Sequence, residues 1–122
     1  MTMRALTAGL LGGLFLLAWP LAGSAHTHLE RSEPAKQAVL DAAPPAIHLW
    51  FSEKVSAEWS KIEVTDAAGK RVDRQQVTGD DADPKHIQAE LEPLAPGTYQ
   101  VKWNVISGDG HRVKGNYSFT VQ

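Results

Sequence analysis

The apolar residues of this sequence recur with a period of two, and that pattern limits the chain to extended structure. Tyr99, Val101, Trp103 and Val105 alternate with Gln100, Lys102 and Asn104. Successive side chains of a strand point to opposite faces, so this run predicts a strand with one face buried. Ile47, Leu49 and Phe51 alternate with His48, Trp50 and Ser52. Ile62 with Val64, Ile87 with Ala89 and Leu91, and Tyr117 with Phe119 and Val121 repeat the pattern. Ser32-Glu33-Pro34, Ala43-Pro44-Pro45, Ala67-Ala68-Gly69, Asp83-Pro84 and Ala95-Pro96-Gly97 supply turn chemistry between the runs. Short strands with turns between them predict an all-β antiparallel sandwich. Pro34 to Asp41 has room for one helical turn. Leu94 to Tyr99 has the pattern of a tyrosine corner, which adds an immunoglobulin-like character. Trp50, Trp59 and Trp103 are read as packing residues.

With 122 residues the chain is long enough for one domain and not two. Lys and Arg form no cluster and the formal net charge is −2, so no nucleic-acid or polybasic membrane surface is expected. Asp80, Asp81 and Asp83 read as a solvated turn. There is no cysteine, which excludes disulfides, thiolate metal sites and thiol nucleophiles together.

The first 25 residues have the layout of a secretory signal peptide. Arg4 supplies positive charge, an apolar stretch follows, and Gly23 and Ala25 place small residues at −3 and −1 of a cut after Ala25. The strongly apolar core is shorter than the roughly 20 residues of a spanning helix. Residues 1–25 are therefore expected to be removed, leaving 26–122 as the mature domain, exported to the periplasm. Both methionines, Met1 and Met3, leave with the signal. The mature chain then has no sulfur ligand, and any metal site must use nitrogen and oxygen.

Cleavage after Ala25 makes His26 the first residue. Its free α-amine and imidazole Nδ1 can close one chelate ring on a metal, and a second histidine opposite would complete a three-nitrogen brace. Nitrogen donors in a tetragonal arrangement suit Cu(II). His111 is the candidate, in Ser107-Gly108-Asp109-Gly110-His111 directly after the clearest strand. Asp109 is two residues from it and in an extended stretch shares its side. Asp-Gly is also an ordinary turn sequence.

His26-Thr27-His28-Leu29, Ser32-x-Pro34, Leu49-x-Phe51-Ser52-Glu53, Gly97-x-Tyr99-x-Val101-x-Trp103 and Ser107-x-Asp109-x-His111-x-x-x-Gly115-x-Tyr117-x-Phe119 together resemble the CopC copper-resistance family over the whole mature chain. The resemblance implies a periplasmic, immunoglobulin-like Greek-key β-sandwich of about seven strands that carries copper. It makes His26, Asp109 and His111 the Cu(II) ligands and implies an inner-membrane copper-handling partner of the CopD type; separately, a monomer is expected. Some members bind Cu(I) in a Met-rich loop. The corresponding stretch here, roughly 65–84, has no methionine, so a Cu(II)-only member is expected.

Two further residues are weighed. His28 has three readings: a supporting ligand, the imidazole of a square-planar amine–amide site built on His26-Thr27-His28, or a surface histidine. Glu53 reads as a carboxylate that orients a ligand imidazole through its free N–H, or as an exposed side chain. His48 and His86 are read as ordinary surface histidines. The expected role is carriage or buffering of Cu(II), without catalysis. The rivals are a histidine-brace copper monooxygenase, as in lytic polysaccharide monooxygenases, and a metal-free immunoglobulin-like interaction module.

Overall fold

The computed structural model describes Gly9, Gly12, Gly13 and residues 26–122. The predicted signal peptide otherwise lies outside the described residues. No helix among the described residues is long and apolar enough to cross a membrane.

Eight strands follow in order: β1 (Leu29–Glu33), β2 (Val39–Leu40), β3 (Ala46–Phe51), β4 (Val55–Thr65), β5 (Asp73–Gly79), β6 (His86–Leu91), β7 (Gly97–Ser107) and β8 (Arg112–Val121). They form two four-stranded sheets, ordered β1-β3-β6-β5 and β2-β8-β7-β4. Only β5–β6 and β7–β8 are consecutive strands paired within one sheet. Every other connection crosses between the sheets, which gives the Greek-key sandwich. Both sheets are antiparallel except at β2, which runs parallel to β8.

The alternating runs place their apolar members inward. Ile47, Leu49 and Phe51 of β3 and Ile87, Ala89 and Leu91 of β6 face Tyr99, Val101, Trp103 and Val105 of β7 and Tyr117, Phe119 and Val121 of β8, all buried. Among the described residues this buried core runs from Ile47 to Val121, with Leu29, Ala38 and Leu40 packed against it. Tyr99 donates its hydroxyl to the Ala95 carbonyl at 2.5 Å, which is the expected tyrosine corner.

Three expectations are corrected. Pro34 to Asp41 makes no helical turn: it forms a tight turn with Gln37 at φ 60 and then β2, because the Gln37 and Thr120 amides bind Ser118 and Ala38 carbonyls. Trp59 does not pack inside; it is 67% exposed on β4. Trp50 lies on the outer face of its sheet, where the Arg31 guanidinium covers its ring at 4.0 Å. Strand β5 has no apolar alternation, since its sequence is DRQQVTG and only Asp73 is buried.

Asp73 replaces an apolar anchor in β5. Its side chain is fully buried and accepts from the Val64 amide at 2.9 Å, the Gln75 amide at 3.0 Å and the Arg71 guanidinium at 2.6 Å. Burial pushes its carboxyl upward, but the Arg71 hydrogen bond and the two amides outweigh it, so the carboxyl titrates below the usual aspartate range. The stability this provides is complete above the unfolded value of about 3.9 and is lost as pH falls through the lower folded value. Asp73→Ala strands two amides and one guanidinium. We expect a loss of about 3 kcal/mol in urea unfolding at pH 7, and a stability curve less steep than the wild type's below pH 4.

On β8, Gly115 stands opposite Trp103. A Cβ built there would lie 2.1 Å from the indole ring. Gly115→Ala must therefore displace a buried ring, and about 3 kcal/mol of destabilisation is expected from thermal unfolding.

Candidate metal centre

Three chain segments meet at one end of the sandwich. The first is the stretch before β1. The His28 amide donates to Ser52 Oγ at 3.0 Å, and the Ser52 amide donates to the His28 carbonyl at 2.8 Å. This two-way pairing lays His26 and Thr27 along the β3–β4 turn. The second segment is that turn, Ser52 to Lys54. The third is the β7–β8 turn, tied to the second by the Gly108 amide, which donates to the Lys54 carbonyl at 2.8 Å.

Ser107 organises the third segment. It is buried at the end of β7. Its amide donates to the His111 carbonyl at 2.8 Å, and its carbonyl accepts from the Gly110 amide at 2.9 Å. Its hydroxyl accepts from the His111 amide at 3.2 Å and donates to Asp109 Oδ1. Gly110 takes φ 88, a left-handed conformation that glycine adopts without steric cost. The turn holds Asp109 and His111 side by side, with His111 Nδ1 3.2 Å from Asp109 Oδ2. The Ser107 hydroxyl, followed by the His111 amide, holds the Asp109 carboxyl below its ordinary range.

His26, Thr27, Glu53, Asp109, His111, Arg112 and Val113 line one pocket of about 230 Å³. Four of the five residues singled out from the sequence thus share a single cavity. Two imidazoles and two carboxylates are hard-to-borderline donors, the set that suits tetragonal Cu(II) and not a soft ion. Arg112 is turned aside, its guanidinium bonded to Asn104. Among the described residues, no three His, Asp or Glu side chains are gathered at metal-binding separation. Asp109 and His111 side chains are 57% and 78% exposed.

His28 does not line this pocket. Its Nδ1 faces the His26 carbonyl at 3.2 Å and its backbone is engaged with Ser52. A larger groove of about 440 Å³ crosses the outer face of β4, β7 and β8, but Lys61, Lys102 and Lys114 line it without any histidine. Sequence reasoning missed Ser52 and Ser107, the two serines that fix the loops. Their places beside Glu53 and Asp109 in the quoted motifs were the available signal.

The CopC domain family matches residues 29–122. Protein YobA of Escherichia coli K12 is 39% identical over 99 residues, covering 80% of each chain. The crystal structure of CopC from Methylosinus trichosporium OB3b superposes with a TM-score of 0.76 at 34% identity, covering 80% of this chain and 94% of that one. PcoC, a methionine-rich copper resistance protein from Escherichia coli, gives a TM-score of 0.70 at 36% identity, covering 80% of this chain and all of the other. The sandwich, the motifs at its open end and these likenesses agree, and the chain belongs to the CopC family.

Proposed function

We propose that the protein is a periplasmic carrier or buffer of Cu(II), active as residues 26–122 after removal of a signal peptide. The observation that carries this reading is the convergence of His26, Glu53, Asp109 and His111 on one pocket. In the mature chain the His26 amine and imidazole chelate the ion from one side and the His111 imidazole completes the brace. Asp109 supplies an oxygen donor and Glu53 orients an imidazole or caps the site. The kinship with copper resistance proteins supports copper as the cargo.

The oxidation state follows from the donors. Residues 26–122 contain neither methionine nor cysteine, in contrast with a relative described as methionine-rich. Nitrogen and carboxylate oxygen hold Cu(II) and offer little to Cu(I). Retention as Cu(II) and release on reduction, or to an inner-membrane partner of the CopD type, is the corresponding cycle, with a monomer as the carrier. Catalysis is disfavoured because Asp109, as an oxygen donor, would occupy a coordination position that oxygen activation needs open. Oxygen consumption with ascorbate no faster than that of free copper is the expected result.

The decisive comparison is Cu(II) competition titration and EPR on protein starting at His26 and on the same protein with one residue added before it. The added residue turns the amine into an amide. Affinity is expected to fall by orders of magnitude with a changed spectrum, and equal binding would remove the brace. His111→Ala separates the brace from an amine–amide site on His28, since only the brace needs His111.

Two smaller effects follow. Each coordinating nitrogen must lose its proton, so affinity should fall as pH is lowered from 7 to 5, while Asp109 stays ionised throughout. Ser107→Ala removes the hydroxyl that holds Asp109. Its carboxyl should move up toward the ordinary value of about 3.9, read by carbon NMR, with copper affinity lower by about tenfold.

A further inference from the structure

A second group of imidazoles occupies the outer face of the β1-β3-β6-β5 sheet, built on strands and not on the three loops of the brace. His48 lies on β3 and His86 opens β6. Trp50 pairs with His86 and His48 with Gln88, so the two histidines are diagonal neighbours on one face. They are not the ordinary surface histidines expected from the sequence. His48 Nδ1 stands 2.9 Å from His86 Nε2. The ring centroids are 5.1 Å apart at 23°, the geometry of two rings meeting edge on with a nitrogen of each turned to the other.

His86 is fixed from two sides. Its Nδ1 lies 2.9 Å from Asp80 Oδ2, and Asp80 Oδ1 accepts from the Ala82 amide at 2.9 Å. Trp50 stacks flat on the His86 ring at 4.5 Å and 7°, and the His86 side chain is only 11% exposed. The His86 hydrogen bond and the Ala82 amide hold Asp80 below its ordinary range, so its carboxylate accepts the Nδ1 proton. That tautomer leaves the His86 lone pair on Nε2, aimed at His48. A carboxylate behind an imidazole in this way is the usual backing of a metal-bound histidine.

His48 completes the pair. As a neutral ring it either donates Nδ1–H to His86 or, as the other tautomer, turns a second lone pair to the same point. Two facing lone pairs need a cation between them. We propose that His48 Nδ1 and His86 Nε2 form a second metal site for an imidazole-preferring divalent ion, Zn(II) or Cu(II), oriented by Asp80 and completed by water. Nitrogens on a tetrahedral zinc stand about 3.3 Å apart with their lone pairs converging on the ion, so the ring of His48, which lacks the carboxylate backing of His86, must draw back and tilt to admit it. His48 also lines an open groove with Glu33 and Ala46, which gives access from solvent; the Glu33 charge there is balanced by Arg31. With two protein donors the site is weaker than a three-nitrogen brace, and it stands independently of that reading.

The test uses residues 26–122 carrying one extra N-terminal residue and His111→Ala, so that the brace is disabled. Zn(II) is added while heat and the imidazole nitrogen resonances are followed. One equivalent is expected to bind and to shift His48 Nδ1 and His86 Nε2 together. His48→Gln or His86→Gln should abolish that binding, and Asp80→Asn should weaken it by about tenfold or more. Absence of Zn(II) binding, or binding that survives both glutamine variants, would overturn the proposal. So would His48 and His86 resonances that respond to pH but not to Zn(II), leaving the pair a proton site only. If a glutamine variant fails to fold, the resonances of the parent protein decide alone.

Discussion

The ring of Trp103 lies across Gly115, and that contact fixes how β8 sits on β7. The two strands pair continuously from Gly97↔Val121 to Ile106↔Arg112. A slip of one residue would turn every apolar side chain of β8 to solvent and would bring a Cβ under the indole. Steric exclusion at one position therefore reinforces the hydrophobic pattern of the whole ladder. The same register decides where β7 must end and β8 begin, and so sets the turn that carries Asp109 and His111. Ser107 is the hinge of this arrangement, because its amide, carbonyl and hydroxyl are all committed to the turn. The position of the candidate ligands is in this sense a consequence of core packing several residues away.

The strands that supply the core were legible because their apolar residues alternate. β5 was not, because a buried aspartate with three donors does there what a Val or Ile does elsewhere, and hydrophobic periodicity cannot register an ion pair. β2 was missed for another reason. Two residues held by hydrogen bonds from a neighbouring strand have no pattern of their own. His26, Asp109 and His111 could be singled out as candidates because a histidine after a signal-peptide pattern and an Asp-x-His turn carry their chemistry locally, and all three line one pocket. The serines that fix those loops were passed over: Ser52 acts on His28, 24 residues away, and Ser107, although its partners Asp109 and His111 lie in its own turn, carries no ligand chemistry of its own. His48 and His86 show the same limit. They are 38 residues apart, and only the β3–β6 register makes them neighbours.

The two histidine groups also differ in how they are held, and that difference has kinetic meaning. Of the proposed brace residues, Asp109 and His111 ride on a turn with exposed side chains, which would have to close on an ion. Ordering them costs conformational freedom at the moment of binding, but a site that closes on its ligand can reopen for a partner. His86 is instead locked by Asp80 and Trp50 before any ion arrives, so little ordering remains for binding to offset, and its affinity is limited by the number of donors. A carrier that must surrender its cargo is better served by the first design. The proposed strand-borne site would fill only at higher metal concentration than the proposed brace. Both proposed sites would draw on nitrogen and oxygen alone, as the absence of sulfur from residues 26–122 requires. The chain therefore achieves any selectivity through geometry and access, since imidazole affinity by itself does not separate Cu(II) from its neighbours.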